Sequence, residues 1–316
     1  MRYSLHSSHW TRGRLLCFVA ALCALCTFIP FTAFALPLAA DVIVVVDESG
    51  SMAGEHAFLQ SAIPDLEAGL LAAGVGTGAD KNQYALVGFG GTDATSQVAH
   101  KHPVGGSDFG SASDFSTAAG GLVVSGGLED GYQAIDFALN NYTFRSGNFA
   151  RQIILVTDED RDVNNSAAGG NTQGSLINFT GLLNDLKGAG VTLNAIVNNP
   201  FLASDGTTRA LGIKSNLTVF LADGSGGFTT DTGGSIGNGF GTTETDYVPL
   251  AHQTGGAAWD LNLLRAGGNT ATSFAAAFID TKVQEIITPP ALPIPSTLIL
   301  LGVGLVGWGL VQRQRR

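Results

Sequence analysis

The chain has 316 residues and only three cysteines, Cys17, Cys23 and Cys26, all within the first 35 positions. The rest of the sequence therefore has no disulfide, no thiol nucleophile and no thiolate metal site. Basic residues are also scarce, with sixteen Lys and Arg against 26 Asp and Glu. Arg2, Arg12 and Arg14 stand near one end and Arg313, Arg315 and Arg316 at the other, and neither end contains an acid. The body thus holds ten basic residues against 26 acidic ones, a formal net charge of -16. That balance excludes nucleic acid as a partner and favours cations. A Gly-x-Ser-x-Gly elbow is missing, as is the Gly-Lys-Ser/Thr of a phosphate-binding loop, which sets aside two large enzyme classes. The 43 glycines follow no three-residue period, so the chain is not collagen-like. No internal repeat is visible.

What is present begins with two terminal segments. The three N-terminal arginines precede an almost wholly apolar run from Leu15 to Phe31, and Ala33-Phe34-Ala35 has the small-x-small form of a cleavage site. Residues 1–35 read as a secretory signal peptide, with an uncleaved membrane anchor as the alternative. At the other end, residues 291–297 contain Pro293-Ile294-Pro295. An apolar stretch from Leu298 to Val311 follows, and then the three terminal arginines. As a helix the apolar stretch spans about 21 Å, short of the ~30 Å hydrocarbon core unless the flanking residues extend it. The layout of 291–316 resembles the PEP-CTERM sorting signal of Gram-negative bacteria, with Ile294 where that family carries glutamate. The resemblance implies transient membrane anchoring and cleavage by an exosortase; a plain C-terminal transmembrane anchor is the alternative.

Between these ends, buried-strand patterns alternate with helical ones. Asp41–Val46, Tyr84–Phe89, Gln152–Thr157 and Val191–Val197 are short runs rich in β-branched residues, as strands covered on both faces require. Helical spacing appears at 55–73, 129–141, 175–186 and 272–287, with Pro64 predicting a kink or a late start in the first of these. The alternation predicts an α/β fold, a doubly wound and mostly parallel sheet flanked by helices, over residues 36–290. Residues 199–248 break the pattern with Gly, Thr, Asn and Asp. They are expected to be an irregular insertion with too little apolar content for a core of its own, and one possible strand at 217–221.

Asp47 and Asp158 both follow predicted buried strands. In a doubly wound sheet, ligands bind at the carboxyl ends of strands where strand order reverses, so both carboxylates are expected on one edge. Asp47-x-Ser49-x-Ser51 after a Val/Ile strand resembles the Asp-x-Ser-x-Ser signature of von Willebrand factor A domains. Val156-Thr157-Asp158 resembles that family's later aspartate, and the Phe-x-x-x-Phe of Phe274 and Phe278 its closing helix. The resemblance covers about residues 41–287. It implies a metal-ion-dependent adhesion site holding a divalent cation (Mg²⁺, Ca²⁺ or Mn²⁺) that binds a carboxylate offered by a protein or polysaccharide partner.

The chemistry is coherent on its own terms. A hard divalent cation takes oxygen ligands. Two serines at spacing two in a tight turn can aim both hydroxyls at one point, Asp47 adds charge or holds a coordinated water, and Asp158 converges from the neighbouring loop. The family's threonine is missing, because Leu128 stands at the matching place in Ser125–Gly131; Glu129 or Asp130 is expected to supply an oxygen instead, with water filling the position as the alternative. Glu159, Asp160 and Asp162 form a second cation site, a selectivity rim or only a solvated acidic loop. His100-x-His102 has chelating spacing but no third ligand nearby in sequence, and reads as a surface pair. Two functions remain in view: an exported, surface- or matrix-associated binding protein, or a structural matrix protein whose metal only stabilises the fold. An enzyme is not expected, since no base is positioned beside the site.

Overall fold

The computed structural model describes residues 36–92, 98–162 and 177–288. Both terminal segments, and with them the expected signal peptide and sorting or membrane segment, lie outside the described residues. Among the described residues no helix is long and apolar enough to cross a membrane.

The first strand, β1 (Ala39–Asp47), is buried along its whole length. Successive side chains of a strand point to opposite faces, so β1 feeds two cores at once. Val42, Val44 and Val46 face one hydrophobic cluster, and Ile43 and Val45 face the other. Helices cover both faces. On the first face lie α1 (Ala53–Ala72) and α2 (Ala112–Ala119), supplying Leu59, Ile63 and Phe115. On the second lie α3 (Gly131–Asn141) and α4 (Phe179–Ala189), supplying Tyr132, Ile135 and Leu186.

The parallel part of the sheet contains β2 (Gln83–Phe89), β1, β4 (Phe149–Thr157), β5 (Thr192–Val197) and β12 (Ala257–Asp260), side by side in that order. The chain passes from β1 to β2 on one flank and later returns to lay β4 against the other flank. The order therefore reverses between β1 and β4, and the crevice at their carboxyl ends is where such a sheet binds ligands. On the outer flank of β2 the short β3 (His100–His102) pairs antiparallel, placing His100 opposite Gly88.

Residues 199–248 are not irregular. They hold β6 (Phe201–Leu202), β7 (Arg209–Ala210), β8 (Gly212–Lys214), β9 (Thr218–Ala222), β10 (Phe228–Thr232) and β11 (Ser235–Ile236). β8, β9 and β10 continue the main sheet beyond β12 as antiparallel strands, while β6, β7 and β11 make a separate three-stranded sheet. The strand expected at 217–221 matches β9. The few apolar residues here serve the main core: Phe220 stacks on Trp259 of β12 with ring centroids 5.1 Å apart. The helix α5 (Thr243–Thr254) begins inside this stretch and was not expected. Two further helices, α6 (Leu261–Arg265) and α7 (Gly268–Ile287), complete the fold. The Phe274 and Phe278 rings of α7 meet Trp259 edge-on.

Pro64 neither breaks nor delays α1, which runs continuously from Ala53 to Ala72. Proline in a helix deprives the carbonyl four residues earlier of its N–H donor. That carbonyl belongs to Gln60, and the Ser116 hydroxyl of α2 donates to it at 2.7 Å. Ser116→Ala is expected to cost about 1 kcal/mol by urea denaturation. The same substitution in a Pro64→Ala background, where the N–H is restored, should cost close to nothing; an equal loss in both backgrounds would refute the compensation.

Candidate metal centre

The register of β1 against β4 sets Val46 beside Val156, which brings Asp47 and Thr157 together at the strand ends. Both Asp47 oxygens are engaged. Thr157 donates its hydroxyl to Oδ2 at 2.9 Å, and the Ser49 backbone N–H donates to Oδ1 at 2.7 Å. Asp47 therefore lies beneath the turn and holds its shape. Above it the Ser49 and Ser51 hydroxyls stand 3.1 Å apart, and Ser51 donates to Asp158 Oδ1 at 3.1 Å. Three oxygens from two distant segments thus follow one another at the spacing of adjacent ligands around a small octahedral cation, roughly 3.0 Å for bonds of about 2.1 Å. Ser49 and Asp158 are buried while Ser51 is exposed, so the group opens to solvent on one side.

A second loop closes over the first. Gly50 and Ser125 donate backbone N–H groups to Gly126 and Glu48 carbonyls. Gly126 has φ of 119°, and a Cβ there would meet the Gly90 carbonyl oxygen at 2.3 Å. Only glycine fits, and this packing delivers Glu129 next to Asp47. Glu129 is buried among other carboxylates, those of Asp47, Glu159 and Asp162. Burial, then the negative charges of Asp47, Glu159 and Asp162, push its pKa up to about 9. Burial likewise raises Asp47 to about 7, against the opposing hydrogen bonds from Ser49 and Thr157 and with a further push from Asp158. Buried carboxylates are costly unless paired or bound to a metal. A cation at the serine rim answers that cost, so the donor set fits a hard divalent ion.

Not every expected residue joins. Asp130 caps the start of α3 by accepting from the Tyr132 N–H at 3.1 Å, and its oxygens take Nε and Nη2 of Arg161 at 2.8 and 3.2 Å. Its carboxylate is engaged by the start of the helix and by the arginine, whereas Glu129 lies beside Asp47. Asp130→Asn is expected to lower stability by about 1–3 kcal/mol while changing metal affinity less than about threefold, as calorimetry on the same sample would show. The acidic loop divides too. Glu159 and Asp162 join Glu129 in a carboxylate cluster with ligand atoms within 4.8 Å of one another, whereas Asp160 accepts from the Thr242 N–H at 3.0 Å.

Sequence reasoning missed Arg265. From α6 it donates to Asp158 Oδ2 at 2.8 Å, to Glu55 Oε1 at 2.6 Å and to the Ser51 carbonyl at 3.1 Å. It orients Asp158 and puts a positive charge at the rim. It lies more than 200 positions from Ser51, and no local pattern marks it. Beside it a cleft of about 590 Å³, lined by Ser51, Glu55, Phe58, Leu264 and Arg265 among others, runs between α1 and α6–α7.

Fold and site together define a doubly wound, mostly parallel α/β domain of the von Willebrand factor A/Rossmann type with a hydroxyl–carboxylate rim at its switch point. No known family profile matches the sequence, and no curated protein matches it. Among solved structures, proximal thread matrix protein 1 from the mussel byssus aligns at 20% identity and TM-score 0.36, over 52% of this chain and 37% of that one. The same protein with a zinc-occupied MIDAS motif aligns at 19% and 0.35, over 51% and 38%. The pilus adhesin SpaC from Lactobacillus rhamnosus GG aligns at 13% and 0.43, over 79% and 30%. This chain thus spans about a third of the length of those proteins. The fold assignment rests on the sheet order itself.

Proposed function

We propose that this is an exported, surface- or matrix-associated binding protein that holds one divalent cation (Mg²⁺, Ca²⁺ or Mn²⁺) at Ser49, Ser51 and Asp158 and uses it to capture a carboxylate-bearing protein or polysaccharide. One observation carries the reading. Three oxygen donors converge at a solvent-open rim at the switch point of the sheet, backed by the buried carboxylates of Asp47 and Glu129. Two of the three rim ligands are neutral hydroxyls. A cation so held stays electron-poor and takes a further oxygen from a partner. Arg265 and the adjoining cleft would receive the rest of an acidic ligand. Export and a transient or permanent anchor at the C-terminus follow from the composition of the two terminal segments, and the reading is of binding rather than catalysis.

A second reading has one observation in its favour. Arg265 already occupies Asp158 Oδ2, as suits a matrix protein whose metal only stabilises the fold. Retention on an immobilised acidic polysaccharide such as alginate, and on a polyglutamate surface, separates the two. Binding is expected to vanish with EDTA, to return with Mg²⁺ or Ca²⁺, and to be absent in Ser51→Ala protein of native circular dichroism. Retention that ignores both EDTA and Ser51→Ala would overturn the binding reading. A metal-raised melting temperature with no retention on either surface would favour the second.

A further inference from the structure

His100 and His102 do have a third neighbour. Glu48, the residue between Asp47 and Ser49, turns its carboxylate away from the serine rim and toward β3. Its Oε2 lies 3.1 Å from His100 Nε2 and its Oε1 3.2 Å from His102 Nε2, and the two Nε2 atoms stand 3.1 Å apart. Three Lewis bases from β3 and the β1 turn therefore face one point. Four ligands at about 2.0–2.1 Å from a tetrahedral zinc stand roughly 3.3 Å from one another, which this triangle approaches before any ion draws it in.

The surroundings are shaped for the cluster. Glu48 is fully buried, and a buried carboxylate is costly unless it is paired or bound to a metal. Its Oε1 accepts from the Val123 N–H at 2.7 Å, which fixes the carboxylate's orientation. His100 Nδ1 stands 2.9 Å from the Val98 carbonyl. With Nδ1 on the Val98 carbonyl, Nε2 is the ring nitrogen turned toward Glu48 and His102, the outer-shell arrangement that metal-bound histidines use. Gly88 makes the room. A Cβ at that position would come within 2.1 Å of Glu48 Oε2 and 2.7 Å of His102 Nε2. The histidine side chains keep 20% and 19% exposure against none for Glu48, so solvent reaches the histidines.

We propose that Glu48, His100 and His102 form a second metal site, separate from the serine rim, that takes a transition-type divalent ion such as Zn²⁺ with water or a partner's donor in the fourth position. Two imidazoles and one carboxylate suit zinc and its neighbours, whereas the rim's hydroxyls and carboxylates suit Mg²⁺, Ca²⁺ or Mn²⁺. An ion here ties the three-residue β3 to the turn after β1.

The test titrates chelator-stripped full chain with Zn²⁺ under saturating Mg²⁺, which fills the rim first. One Zn²⁺ is expected to bind per chain. The His100→Gln/His102→Gln double variant, which keeps polar groups near Glu48, should bind on the order of 100-fold or more weakly, since even loss of an outer-shell partner costs about 10–100-fold. Ser51→Ala should change the affinity less than about threefold. On the unaltered protein, Zn²⁺ should move the ring signals of His100 and His102 together in the NMR spectrum, a readout that does not depend on a variant folding. Two outcomes overturn the site: no stoichiometric Zn²⁺ binding under Mg²⁺, or binding that leaves those two rings unmoved.

Discussion

Adding Ca²⁺ or Mg²⁺ at about a hundred times its dissociation constant to the EDTA-stripped protein is expected to raise the melting temperature by roughly 5–10 °C, and Asp158→Ala to abolish that rise. A ligand that binds only the native state at this excess stabilises it by about 2.7 kcal/mol, and a domain of this size gains about 2–4 °C per kcal/mol. Asp158 is the rim's only carboxylate, it accepts from Ser51, and it comes from a different strand than the two serines. Without it the cation loses both a charged ligand and the link between β1 and β4. The variant also leaves Arg265 with Glu55 as its remaining carboxylate partner. The comparison is therefore the shift on adding metal, not the starting temperature. A variant that keeps the full shift would show that the cation sits elsewhere.

The second large effect concerns pH. In the metal-free protein Asp47 and Glu129 have folded-state pKa values raised to about 7 and about 9, above those of the unfolded chain. Between the unfolded and folded values the native state holds more protons, so stability falls as pH rises. For Asp47 the loss begins near its ordinary value of 3.8 and is complete at about 7, which amounts to about 3 kcal/mol between pH 5 and pH 8. Glu129 extends the decline toward about 9. The buried Lys282, lowered by burial to about 8, acts in the opposite direction but only above that pH. Urea denaturation in EDTA from pH 5 to pH 8 should show the decline, and Asp47→Asn should remove the part that ends at about 7 while leaving the part carried by Glu129. Saturating Ca²⁺ should reverse the slope, because metal ligands must be deprotonated. A level metal-free profile would show that these two carboxylates do not carry the buried charge assigned to them.

The parts of the site legible in advance share a cause. Asp47, Ser49 and Ser51 sit within five positions, and the geometry of one turn brings them together. Asp158 was placeable because a buried strand precedes it, as one precedes Asp47, and neighbouring parallel strands end on the same edge. Glu129 and Asp130 were indistinguishable at that level, being consecutive acids after a glycine-rich loop. What separates them is that Asp130 starts α3 and meets Arg161, while the packing of Gly126 against Gly90 swings Glu129 inward. The continuity of α1 through Pro64 was illegible for a related reason. The hydroxyl that compensates for it comes from Ser116, 56 positions away from Gln60.

Sequence alone determined the alternation of elements, the burial of the central strands and the oxygen donors of the rim, because these follow from periods of two and 3.6 residues and from contacts a few positions long. Tertiary structure decided what depends on chain return. It added three strands from 199–248 to the main sheet, set Arg265 on Asp158 and gathered Glu48 with two histidines that had looked like a surface pair. Those contacts span some 50 to 200 positions, and nothing in a local stretch of chain encodes which distant partner will complete it.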